Sequence, residues 1–198
     1  MPKTKYTKEL ILETAIKMAK EEGIESLNVR KIASMLGCSV APIYTAYQNF
    51  ENLIKEVDLH YRNILSGFVV RKYSHNEFFN MGLGLVDFTI RYPKIYMYLY
   101  KNTDDFFDIL KQEANLMDMM EESHLSQLLD TEELKYLLDS MSTFTQGLCM
   151  SIVLKPDSLS LKDAIDKLDK VGGDLTQATL ERKGVLSDYQ CKQRGKQE

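Results

Sequence analysis

Cysteine is scarce and scattered: Cys38, Cys149 and Cys191 are the only three in 198 residues. An odd number at wide separation makes neither a disulfide framework nor a zinc-ligand spacing, so a reducing, cytoplasmic setting is expected. No uninterrupted apolar run approaches the ~18 residues of a membrane span. The start, Met1-Pro2-Lys3-Thr4-Lys5-Tyr6, has no apolar signal region. No membrane partner is expected. There is no Gly-rich phosphate loop and no nucleophile elbow, and no carboxylate pair stands apart from ordinary helix surface. Neither an enzyme nor a cofactor is therefore expected. His60, His75 and His124 are dispersed, and no pair has metal-ligand spacing. No strand pattern and no internal repeat is present.

What is present is ordinary for a globular protein: 44% apolar and 27% charged residues, enough for one large or two small domains. The net charge of −4 argues against generic affinity for nucleic acid, but it is unevenly spread. Residues 1–50 carry seven Lys/Arg against five Glu, and the remainder 18 basic against 24 acidic. A mildly basic head on an acidic body suits a DNA-contacting module joined to one with another task.

Helical periodicity runs through the chain. Residues 7–22 place Leu10, Ile11, Ala15, Met18 and Ala19 among Lys and Glu, with Thr7 as N-cap and Gly23 at the C-cap. Two short helices follow. Glu51 to about Lys72 then continues helically, long enough to bridge out of a three-helix head. Ser74-His75-Asn76-Glu77 is a capping box opening a helix to Arg91 that is apolar over most of its girth, and hence buried. Within it, Asp87 and Arg91 read as a solvated i,i+4 ion pair. Pro93 restarts the chain into Lys94–Lys101. Asn102-Thr103-Asp104 offers caps for a helix over about 104–129, and Asp130-Thr131-Glu132-Glu133 for another to about Leu154. After the Lys155-Pro156-Asp157-Ser158 loop, a helix over about Ser160–Arg182 repeats Leu161, Ala164, Leu168, Val171, Leu175 and Ala178, a bundle seam. Gly172-Gly173 interrupts it at a cost of roughly 2 kcal/mol. The tail, 185–198, is polar.

Asn28 to Tyr47 organises the rest. Asn28 can cap a first helix whose inward face is Ile32, Ala33 and Leu36. Gly37 stands where that helix stops, at a position favouring a left-handed backbone. Ser39 can cap a second helix, Pro42 lies in its first turn, and Ile43 returns to the core. Small residue, turn glycine and returning branched apolar residue satisfy the sterics of a helix-turn-helix, whose second helix enters the DNA major groove. Tyr47 belongs to the core.

Residues Gly23 to Ser39, followed by Ile43-Tyr44 and Tyr47, resemble the N-terminal domain of TetR/AcrR-family transcriptional regulators over about 50 residues. Arg91-Tyr92-Pro93-Lys94-Ile95-Tyr96 and Phe144-Thr145-Gln146-Gly147-Leu148 are similar to a core junction and an interface-helix motif of the family. The resemblance implies an all-α fold: a helix-turn-helix DNA-binding domain at 1–50 with a bridging helix to about 72, then a helical ligand-binding and dimerisation domain at 73–184. It implies a homodimer through the last two long helices and repression released by a small molecule. The chain departs from the family in its apolar Val40-Ala41-Pro42 step, in Ala46, and in Gln48-Asn49-Phe50, where a Lys is usual. Fewer phosphate contacts imply weaker, less salt-sensitive binding.

On this reading Val40, Ala41 and Pro42 face base edges, where they can pack on thymine methyls but cannot read guanine. Ser39, Tyr44, Thr45 and the helix N-terminus contact phosphate, Arg30 reaches a base or phosphate, and Gln48 completes the set. Lys3 and Lys5 form an arm along the DNA backbone. For an apolar or amphipathic effector the body offers Phe79, Phe88, Met97, Tyr100, Phe107, Met117, Met120, Met141 and Phe144, adaptable Met and aromatic side chains that equally suit plain core packing. Gly82 and Gly84 leave space in a core helix, for a ligand or for a closely packed neighbour. Two other functions compete with an operator-binding repressor: an adaptor of the same fold acting on another protein, and a ligand-binding or catalytic helical protein with a vestigial head.

Overall fold

In a computed structural model of the chain, residues 6–73, 77–104, 106, 110, 117–118 and 123–188 are described, and every regular element among them is helical. Lys3, Lys5, His75, Phe107, Met120, Cys191, the first three residues of the Ser74 capping box, the His124 side chain and most of the helix expected over 104–129 lie outside the described residues.

Helix starts follow the local chemistry of the caps. In α1 (Lys8–Glu22) the Thr7 hydroxyl accepts from the Leu10 amide, and the Gly23 amide donates to Ala19 O at the far end. A 3₁₀ turn, Ile24–Ser26, leads to α2 (Val29–Leu36), where Asn28 accepts from the Lys31 amide at 2.9 Å. Gly37 then turns left-handed (φ 65°). The next helix, α3 (Ala41–Tyr47), corrects one expectation. Its N-cap is Val40, not Ser39, and no side chain caps it. Gly37 and Cys38 amides are still bonded back to Ser34 and Ala33, so the new helix opens on the Val40 carbonyl, which takes the Ile43 and Tyr44 amides.

Asn49 opens α4 (Phe50–Val69) by accepting from the Asn52 amide at 2.8 Å; the helix ends short of the expected Lys72. After it come α5 (Glu77–Arg91) and α6 (Pro93–Lys101). Towards the end of the helix expected over 104–129, Ser123 instead caps a 3₁₀ turn, His124–Gln127. Asp130 caps α7 (Thr131–Leu154), and Ser160 with Asp163 forms a complete capping box for α8 (Leu161–Lys183). Gly172 and Gly173 do not interrupt α8, which runs unbroken to a left-handed Gly184.

The chain divides into two compact units, Met1–Gly67 with Arg91–Asp104 and Phe68–Ile90 with Asp105–Glu198. In the first, α1 packs on α2, α3 and α6. Ile11, Ile32, Ile43, Leu53, Ile95 and Leu99 are fully buried there. Two phenols tie neighbours to the α1 backbone: Tyr61 donates to Ile16 O at 2.8 Å and Tyr47 to Lys8 O at 3.2 Å. Burial and Tyr92 push the Tyr61 phenol up to about 12.

In the second unit α7 packs on α8. Arg182 and Lys183 of α8 reach Glu133 of α7 at 2.7 and 3.0 Å. By length and composition α7 reaches the margin of a membrane span, at a mean hydropathy of 1.2 over 18 residues. Its Leu134, Leu137, Leu138, Met141, Leu148 and Ile152 are buried within the unit, the pattern of a core helix.

Asp87 is a second correction. It is 4% exposed rather than solvated, and it accepts from the Tyr73 hydroxyl at 3.1 Å. Burial and this carboxylate push the Tyr73 phenol up to about 12.

Candidate functional site

The α2–Gly37–α3 segment sets a short helix on the surface by its sequence pattern. Ile43 and Tyr47, four apart, turn inward. Ala41, Tyr44, Thr45 and Gln48 are exposed, Tyr44 by 43%, while Val40 and Pro42 are half-buried. Ser39 is exposed beside them, and Arg30 on α2 is exposed as well. All eight residues expected at a nucleic-acid surface thus reach solvent at least in part. Tyr6 reinforces the turn, its hydroxyl donating to Gly37 O at 3.2 Å. Met35 on α2 is 57% exposed, and one apolar residue outside the inward stripe carries no periodic signal in the sequence.

Hydrogen-bond inventory limits what these groups can do. A phosphate only accepts, so its partner must donate. Thr45 already donates to Ala41 O at 2.9 Å, leaving its oxygen with lone pairs only. Gln48 is held at φ 65°, ψ −48°, a conformation that side chains rarely adopt. Its amide donates to Tyr44 O while the Asn49 amide folds back to Tyr47 O at 2.7 Å, a tight γ-turn that joins α3 to α4. Two nearby cations are already engaged. Lys31 pairs with Glu22 at 2.7 Å, holding that carboxyl below its ordinary range, and Lys8 pairs with Glu56. Lys94 Nζ donates to Glu21 O at 2.7 Å. Arg30 has no ion pair among the described residues.

Of the residues expected to hold a ligand, Phe79 and Met141 come together. They line a cavity of about 20 Å³ in the second unit, with Met81 and Gly82 of α5. Leu138, Ser142 and Thr145 of α7 and Leu168 of α8 complete it. Phe88 is fully buried, edge-on to Phe68 at 5.8 Å. Met117 and Phe144 are half-buried and do not line the cavity. Met97 and Tyr100 belong to the first unit, where Tyr100 stacks on Tyr96. The two glycines of α5 differ. A methyl at Gly84 would stand 2.7 Å from the Phe68 carbonyl carbon, so Gly84 serves close helix packing, whereas Gly82 opens on Thr145.

No family model matches the chain, and no curated protein matches it.

Proposed function

We propose that the chain is a TetR-like, ligand-responsive transcriptional regulator. It binds a palindromic operator through a helix-turn-helix formed by α2 and α3. As a cytoplasmic homodimer through α7 and α8, it presents two α3 helices ~34–36 Å apart to successive major grooves. A small apolar or amphipathic effector that favours another spacing of the heads releases it, by no more than its differential affinity for the two states. The observation that carries this reading is the partition of α3. Ile43 and Tyr47 anchor a seven-residue helix in the core, and Ala41, Tyr44 and Thr45 stand outward behind a left-handed glycine turn. The test is a gel shift with the DNA upstream of its own gene. Retardation is expected, and its absence at every salt concentration with folded dimer overturns the reading.

One observation favours a second reading, an adaptor of the same fold that docks on another protein. Lys8 and Lys31 are held in ion pairs, and Gln48-Asn49-Phe50 brings no cation. A stoichiometric protein partner found together with no DNA affinity decides for the adaptor.

A further inference from the structure

Phe79 stands at the rim of the cavity between α5, α7 and α8. Among its described lining residues seven are buried and Phe79 is half-buried. The ring of Phe79 rests in a notch in α8: a methyl on Gly172 would stand 2.6 Å from its Cε1. The notch exists because residue 172 has no side chain, which gives the first glycine of the pair in α8 a reason to be there. At about 20 Å³ the cavity has room for about one water, so a larger molecule needs the space that the ring vacates on leaving the notch.

Its polar lining is one-sided. Ser142 Oγ donates to Leu138 O at 2.8 Å, and Thr145 Oγ1 donates to Met141 O at 2.8 Å. Each hydroxyl has committed its only proton and keeps lone pairs. Gly82 leaves Thr145 Oγ1 uncovered, since a methyl there would lie 3.1 Å from that oxygen. Among the described lining residues the chamber is therefore apolar, with hydroxyl oxygens that accept hydrogen bonds and no uncommitted donor.

We propose that this chamber takes a molecule of about one aromatic ring carrying a single O–H or N–H donor. It enters as Phe79 swings out of the Gly172 notch and donates to Thr145 Oγ1. This rests on the ligand-responsive reading above and names the effector's chemical class.

Phenol, anisole and toluene, titrated calorimetrically into the full chain and into Phe79→Ala, test it without DNA present. Removing the ring is expected to tighten phenol binding by about tenfold, because the competent state no longer has to be selected. Phenol is expected to exceed anisole, which cannot donate, by about threefold to tenfold. Thr145→Val should erase that preference and leave toluene binding unchanged. Gly82→Ala, which covers the hydroxyl, should weaken phenol binding. Phe79→Leu serves where Phe79→Ala loses its helical circular dichroism. Equal affinity for phenol and anisole, an unchanged preference in Thr145→Val, or no saturable phenol binding by Phe79 variants that keep wild-type helicity overturns the proposal. Phenol binding without operator binding keeps the site and removes the repressor; operator binding without phenol binding does the reverse.

Discussion

Four helical glycines separate propensity from packing in one experiment. Replacing glycine by alanine inside a helix gains up to about 1 kcal/mol wherever the methyl fits. At Gly67 of α4 nothing lies within 4 Å of the added carbon, so the full gain is expected. At Gly84 the methyl would meet Phe68 carbonyl carbon at 2.7 Å and Val69 Cα at 2.8 Å. Both are backbone and cannot rotate away, so the Phe68-Val69 segment and α5 must part. Overpacking of that kind costs ~1–3 kcal/mol or more, and the net for Gly84→Ala is a loss of about 2 kcal/mol. Gly172→Ala meets the far end of the Phe79 ring, which can turn aside, and Gly82→Ala meets Thr145 Oγ1 at 3.1 Å; both should fall between the extremes. In a chain of this length about 1 kcal/mol moves the melting temperature by ~2–4 °C. Urea unfolding followed by far-ultraviolet circular dichroism should therefore place Gly67→Ala above the parent and Gly84→Ala ~4–8 °C below it on melting. A Gly84→Ala protein as stable as the parent would refute the close approach of Gly84 to the Phe68 and Val69 backbone.

Gln48→Gly should raise the urea midpoint by an amount equivalent to about 1 kcal/mol, because the positive φ strains any side chain there; no gain would mean that the γ-turn carries no strain. Lys183 and then Arg182 hold the Glu133 carboxyl below its ordinary value, and the Glu133 amide does the same for Asp130. With folded values below unfolded ones, their stabilisation is present above about pH 4.5 and is lost as the pH falls through the folded values. Melting temperature should thus drop on acidification, and Glu133→Gln should flatten the drop; parallel curves would exclude the carboxylate as its source. In the operator complex, Arg30→Ala should lower the slope of log K against log salt by about 0.9 if Arg30 neutralises one phosphate; an unchanged slope places it off the backbone. Gly147 on α7 has open space around it within the chain, so Gly147→Arg should leave the fold intact. Dissociation of a dimer by this change, read by sedimentation, would place a second copy there; a persisting dimer excludes that face.

Legibility of the sequence followed the range of the interaction. Caps act between residues three apart, and Thr7, Asn28 and Asp130 all sit where the pattern puts them. Ser39 failed by one position. The closing bonds of α2 and the opening bonds of α3 compete for the same short turn, and the proline at the start of α3 settles where helical backbone can resume. Asp87 has a helical neighbour at the right spacing, but its burial and its bond from Tyr73, 14 residues back, lie outside any periodic rule. Gly172 looked like an interruption because its reason, the Phe79 ring, is more than 90 residues away in sequence. Of the ligand residues, Met and aromatic content named Phe79 and Met141. It passed over Ser142 and Thr145, whose hydroxyls are invisible to a search for apolar side chains.

Charge bookkeeping at the head bears on how α3 would read a sequence. Lys8 and Lys31 are engaged by Glu56 and Glu22, both on the head's own helices or their edges. Such exposed pairs are weak, so a phosphate can compete for either lysine, but the carboxylate left behind remains close by and opposes the polyanion. Thr45 has committed its proton to Ala41 O, and Val40, Ala41 and Pro42 have no side-chain donor at all. Among the described residues expected at the DNA surface, Tyr44, Ser39, Gln48 and Arg30 remain as donors on exposed side chains. If α3 reads DNA, so few donors on it imply that discrimination comes from the fit of an apolar helix tip against thymine methyls and groove shape. A reader of that kind loses little affinity with salt and much with a single A·T to G·C change under Val40–Pro42, the opposite balance to a head that binds through lysines.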